Sequence, residues 1–167
     1  MVSMPMALLS DVSIRNLTVM SHETEAKHDA VKSGKDRVDW ARQNMPILRS
    51  IGERFMAQKP FAGQRIGICL HVEAKTGVWI EALMAGGAKV SITGSPGTTQ
   101  DDTAAYIATE MGAEVFAWRA ETFDDHMHNV AHVLDTQPTM LADNGADLHY
   151  LLGKKPEYGQ LSAQIRG

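Results

Sequence analysis

A single cysteine, Cys69, stands among 167 residues, which excludes an intramolecular disulfide framework and a zinc site built from cysteines. No apolar run approaches the roughly 20 residues that a membrane-spanning helix needs. Met1–Met6 has neither the basic start nor the apolar stretch of a signal peptide. Basic residues are not in excess: 16 Lys+Arg against 20 Asp+Glu leave a net charge of −4, which speaks against nucleic acid as a partner. Neither G-x-G-x-x-G nor a Walker loop occurs, so no bound dinucleotide is expected. Hydrophobic residues at 44% and charged residues at 22% exclude an acidic disordered tail. These absences leave one domain of ordinary globular composition, large enough to bury a core without staples. A reducing cytoplasm is the expected compartment, with no membrane partner.

The chain reads in two unequal parts. Residues 1–35 carry weak patterning, with Ser33-Gly34 as a breaker, and read as a partly ordered N-terminal arm. From Asp36, a plausible N-cap, Val38, Ala41, Met45, Leu48, Ile51 and Phe55 recur at spacings of three and four, one stripe of an amphipathic helix. Pro46 should kink or restart it, and Lys59-Pro60 should end it. Beyond Gly63, short apolar runs at Ile66–Leu70, Lys89–Thr93, Glu114–Trp118 and Thr139–Ala142 alternate with helical segments at Lys75–Gly86, Gln100–Met111 and Glu121–Leu134. Continuous apolar runs suit strands buried on both faces. Residues 36–167 therefore predict an α/β fold: a three-layer α/β/α, Rossmann-like parallel sheet with an N-terminal helical segment.

Ligands of such sheets bind beyond the C-terminal strand ends. His71 follows the first predicted strand, where an imidazole can serve as acid or base or else cap the helix that follows. Gly94–Thr99 could cradle a phosphate, but also reads as a simple turn with Thr99 as N-cap and Asp102 as its capping-box partner. His126, His128 and His132 form an H-x-H-x-x-x-H cluster that reads as exposed helix histidines, so no metal is expected. Cys69 reads as a buried, inert thiol. Trp40, Trp79 and Trp118 read as packing residues.

Several stretches then occur together and in order: Asn44-Met45-Pro46, Lys59-Pro60-Phe61-Ala62-Gly63, Ile68-Cys69-Leu70-His71, Ile80-Glu81-Ala82-Leu83, Ser95–Asp102, Val115-Phe116-Ala117-Trp118, Asn144-Gly145-Ala146-Asp147-Leu148 and Ile165-Arg166-Gly167. From about Asp36 to Gly167 the chain resembles the N-terminal substrate-binding region of the adenosylhomocysteinase family. Complete members use bound NAD to convert S-adenosylhomocysteine to adenosine and homocysteine. The resemblance implies that His71 is the acid/base histidine. It sets Leu70, Glu73, Lys75 and Thr76 at the substrate, the last three at the adenine end. Ser95, Thr98 and Gln100 fall on the loop beside the homocysteine portion.

The departures carry their own implications. Asn144 stands where the family usually has a catalytic Asp, and an amide holds hydrogen bonds but does not trade protons. Lys75 stands where many members have Glu, which favours a base that accepts a hydrogen bond, such as the 6-oxo edge of hypoxanthine. Gly97 replaces a larger apolar residue. The chain stops before the ribose-gripping motif and the NAD domain. It is thus expected to bind a nucleoside or adenosyl thioether, to bind no NAD of its own, and to work with a missing C-terminal half or as a homo-oligomer. Independent NAD-free chemistry and a non-catalytic binding or regulatory role are the alternatives. The stripe from Val38 to Phe55 is the expected self-association surface.

Overall fold

The structure, a computed structural model, describes residues 7–165, with side chains from Thr24 onward; the Met1–Met6 and Arg166-Gly167 readings lie outside it. Four strands form one parallel sheet: β1 (Arg65–Cys69), β2 (Lys89–Thr93), β3 (Glu114–Val115) and β4 (Met140–Asp143). Their order is β3-β2-β1-β4. The chain steps outward from β1 to β3, then returns to the free side of β1 to lay down β4. That reversal makes the gap between the C-terminal ends of β1 and β4 the topological switch point, where open α/β sheets bind ligands.

Alternation along β1 assigns the two faces. Ile66 and Ile68 join Val90, Ile92, Ile80, Leu83 and Ile107 in one core layer, beneath α3 (Ala74–Ala85) and α4 (Asp101–Tyr106). Cys69 joins Val130, Val133, Leu134 and Leu148 on the other, beneath α5 (Phe123–Asp135) and α6 (Asp147–Lys154). Gly67 lies on that second face, where a Cβ would sit 3.0 Å from Val133 Cγ1 and 3.1 Å from Pro138 Cβ, so its bare backbone lets α5 approach closely. This is the three-layer α/β/α arrangement that the sequence predicts.

The boundaries differ in four places. Helix α1 runs unbroken from Ala7 to Gln43, so Asp36 is a mid-helix residue and not an N-cap. The Ser33-Gly34 pair does not break it either: Gly34 is buried where α1 crosses α4, and a Cβ there would meet Asp102 O at 2.0 Å. Third, β3 keeps only Glu114–Val115 of the expected five residues. As an edge strand it pairs with β2 alone, and beyond Val115 the chain leaves the ladder with one further bond, Phe116 N–H to Ile92 O. Fourth, the expected Gln100–Met111 helix is α4 followed by a π-helical turn, Ile107–Met111. Its N-cap is Gln100, not Thr99, and no side chain caps it. Two helices that the periodicity does not identify follow β4: α6, and α7 (Gly159–Gln164).

Pro46 restarts the helix as expected. It occupies the first turn of α2 (Pro46–Gln58), where its missing N–H costs nothing. Lys59 ends α2 in a left-handed conformation, φ 48°, its N–H donating to Phe55 O. Along the apolar stripe, Val38 and Ala41 are buried against Val78 of α3 and Tyr106 of α4, while Met45, Leu48, Ile51 and Phe55 are half-buried. Among the described residues, the large apolar side chains that α1 and α2 expose are Trp40, Ile47 and Met56. Among the described residues no helix is long and apolar enough to cross a membrane.

Candidate functional site

The switch point collects the segments that leave β1, β2 and β4. Asn144 N–H donates to Cys69 O at 3.2 Å, and Leu70 N–H donates to Thr93 O at 3.1 Å. Main-chain bonds thus tie the last residues of β1 to both neighbours, and His71 and Asn144 leave adjacent strand ends, both exposed. The turn after β1 is rigid. Thr76 Oγ1 donates to His71 O at 2.7 Å, Glu73 N–H donates to the same oxygen at 3.1 Å, and Gln100 N–H donates to Val72 O at 2.9 Å. The His71 imidazole does not cap α3: Glu73 is the N-cap residue, without a side-chain bond.

Beside this turn lies an open cleft of about 690 Å³, walled by α1 on one side and by the first turns of α3 and α4 on the other. Glu73, Lys75 and Gln100 line it, opposite Asp36, Arg37 and Trp40. Lys75 Nζ and Glu73 Oε1 are 3.4 Å apart, so a cation and a carboxylate stand side by side at its edge. Neither His71 nor Asn144 lines this cleft. Thr76 is buried and holds the His71 peptide instead of facing the cleft. Leu70 is half-buried and packs on the core layer of Ile66 and Ile92. Ser95 and Thr98 close their own turn, Thr98 Oγ1 donating to Ser95 O at 2.6 Å and accepting from Ser95 N–H at 3.3 Å. Gly94 permits that turn, since a Cβ there would lie 2.3 Å from Thr99 Oγ1. Of the expected substrate residues, the fold therefore gathers three in one cleft and gives the others backbone or core partners.

The α1 wall is latched by Asp102, whose Oδ2 accepts from Ser33 Oγ at 2.8 Å and Arg37 Nε at 2.7 Å. Burial pushes this carboxyl up, but the bonds from Ser33, the Thr103 N–H and Arg37 outweigh it and hold it below its ordinary value. Local patterning does not reveal this wall: the apolar stripe predicts a helix only from Asp36, and Trp40 reads as a packing residue. Trp40 is exposed, as is Trp118, while Trp79 packs as expected.

A second polar group lies under the switch point, and it corrects the histidine reading. His126 is 2% exposed, whereas His128 and His132 are exposed and apart from it. His126 Nε2 is 3.3 Å from Asp147 Oδ2 and its Nδ1 is 3.9 Å from Glu121 Oε1. Asn129 Nδ2 donates to Glu121 Oε2 at 2.8 Å. Burial raises the Glu121 carboxyl, against the opposing effects of Asn129 and His126. Burial likewise pushes the Cys69 thiol up to about 12, with Asp143, Asp147 and Glu121 adding repulsion, so the thiol keeps its proton near neutral pH. His126, Val130 and Val133 share one face at spacings of four and three; that periodicity, applied to the histidine, identifies it as inward-facing.

The model of the S-adenosyl-L-homocysteine hydrolase family matches residues 25–165. The chain is 49% identical over 125 residues to an S-inosyl-L-homocysteine hydrolase of Methanocaldococcus jannaschii, covering 74% of this chain and 30% of that protein. It is 48% identical over 136 residues to the S-inosyl-L-homocysteine hydrolase of Methanococcus maripaludis, covering 81% and 32%. It is 44% identical over 119 residues to an adenosylhomocysteinase of Sulfolobus acidocaldarius, covering 71% and 28%. The chain spans about a third of the length of these relatives. With a parallel sheet whose switch point presents His71 and Asn144, and a matching family model over most of its length, this chain belongs to the S-adenosyl-L-homocysteine hydrolase family.

Proposed function

We propose that this chain forms the substrate-binding part of a hydrolase acting on a purine-nucleoside thioether of homocysteine, with S-inosyl-L-homocysteine preferred over S-adenosyl-L-homocysteine. The observation that carries the reading is Lys75, exposed in the first turn of α3 at the edge of the 690 Å³ cleft and 3.4 Å from Glu73. An ammonium only donates hydrogen bonds. It complements the 6-oxo group of hypoxanthine and repels the 6-amino group of adenine, while the Glu73 carboxylate accepts from the hypoxanthine N1–H. Relatives named S-inosyl-L-homocysteine hydrolase at 48–49% identity support this choice.

In this reading the cleft holds the base, and the rest of the ligand extends toward the switch point. His71 is the proton-transfer residue, because an imidazole exchanges protons near neutral pH and its peptide is held by Thr76. Asn144 positions the ligand through its amide. The turn after β1 reads Leu70-His71-Val72-Glu73, with side chains where a pyrophosphate needs bare glycine backbone. The described residues do not fit NAD at this turn, and no redox step is assigned to the chain.

Calorimetry with inosine, adenosine and the two homocysteine thioethers tests the assignment. The inosyl compounds should bind at least about tenfold more tightly, the value of one hydrogen bond to a charged group at about 1.5 kcal/mol or more. Lys75→Glu should reverse the order. Equal affinities that Lys75→Glu leaves unchanged would refute the base assignment. In the assembly that performs the whole reaction, His71→Ala should abolish turnover and largely spare binding.

A further inference from the structure

We propose that Cys69 Sγ, His126 Nε2 and Asp147 Oδ2 form a divalent-metal site, suited to zinc, beneath the switch point. The three side chains come from the end of β1, the inward face of α5 and the first turn of α6, and their donor atoms all lie within 4.8 Å of one another. Nε2 and Oδ2 are 3.3 Å apart, and Sγ and Oδ2 are 3.9 Å apart. Tetrahedral zinc holds nitrogen, oxygen and sulfur ligands at about 2.0–2.3 Å, which sets ligand–ligand separations near 3.3–3.7 Å. Mixed S, N and O donors select a borderline-soft cation.

The surroundings of His126 point the same way. Its ring is 2% exposed, yet Nδ1 has no hydrogen-bond partner, and neither has the buried Glu121 Oε1 that faces it at 3.9 Å. A cation on Nε2 fixes the imidazole proton on Nδ1 and directs it at that carboxylate, the outer partner that metal-bound histidines adopt. Asp143 adds a third carboxylate nearby, with one buried oxygen unpartnered. No lysine or arginine pairs with Glu121, Asp143 or Asp147 among the described residues, so the negative charge there lacks a permanent counterion. The Asp147 side chain is 33% exposed, which leaves an entry path and room for water as the fourth ligand. On binding, the Cys69 S–H bond breaks, its proton passes to solvent, and the sulfur donates its electron pair to the metal; nothing is oxidised or reduced. Cys69 stands two residues before His71, and Asp147 three after Asn144, so the ion ties together the two strand ends that present them. The site does not depend on which nucleoside the cleft accepts.

Titrating the chelator-treated, reduced 167-residue chain with Co²⁺ tests the site, since cobalt reports its ligands by colour. One cobalt per chain should bind, with a near-ultraviolet thiolate-to-cobalt band that one equivalent of Zn²⁺ removes. Cys69→Ser should abolish that band. Asp147→Asn and Glu121→Gln should each weaken binding about tenfold or more. The double variant His128→Ala/His132→Ala should bind as the parent does. Absence of the thiolate band in the parent chain overturns the proposal, as does cobalt binding that only the double variant loses. The parent spectrum decides the matter even if Cys69→Ser fails to fold, which circular dichroism of the metal-free variants would reveal.

Discussion

Replacing Gly34 by alanine should destabilise this protein, against the ordinary rule for helices. Gly34 lies inside α1, and Gly→Ala in a helix interior normally gains about 1 kcal/mol. Here the new Cβ would lie 2.0 Å from Asp102 O, 2.6 Å from Asp102 C and 2.9 Å from Tyr106 Cβ. The closest contact is 1.0 Å inside the 3.0 Å that real Cβ atoms keep, and it is to backbone, which cannot swing aside. Helix α1 must therefore lift from α4. Overpacking of this kind costs about 1–3 kcal/mol. Lifting also strains the Ser33 and Arg37 bonds to Asp102, at about 1 kcal/mol for a partly exposed pair of contacts. Set against the helix-propensity gain, the net loss is about 1–3 kcal/mol, which for a chain of this length lowers Tm by roughly 2–12 °C. Thermal and urea unfolding followed by circular dichroism measure it. Gly34→Ser should behave alike, whereas Gly153→Ala, at an exposed position of α6 with nothing within 4 Å of its Cβ position, should be neutral or stabilising. An unchanged or higher Tm for Gly34→Ala would refute the close α1–α4 crossing, and with it the α1 wall of the cleft.

Two further outcomes follow from the same geometry. The Asp102 carboxyl is held below its ordinary value in the fold, so its latch is fully present above the unfolded value near 4 and is lost as pH falls through the folded one. Acidifying below about pH 4 should loosen α1, and Asp102→Asn should flatten that part of the stability–pH profile while costing about 1 kcal/mol at neutral pH; a variant with an identical acid limb would contradict the latch. Thr122 caps α5 through a reciprocal capping box with Asp125, so Thr122→Ala should cost about 1 kcal/mol and shift Tm by roughly 2–4 °C, and unfolding curves superimposable on the parent would rule the box out as a contributor.

The sequence by itself determined the layered architecture, because periodicity is a local property. β2 matches its apolar run residue for residue, and β1 and β4 match theirs to within a residue. Pro46 marks the restart between α1 and α2, and the C-L-H segment places His71 just beyond a strand. Tertiary structure decided what depended on distant partners. Gly34 looks like a breaker until α4 needs its bare backbone at the crossing. Thr98 and Thr76 look like ligand hydroxyls until main-chain oxygens, those of Ser95 and His71, claim them. His126 looks like one of three exposed helix histidines until the turn of α5 against β1 takes it inward, between Glu121 and Asp147. A side chain's chemical type is written in the sequence, but its neighbours from other elements are chosen by packing, and those neighbours set its charge, exposure and reach.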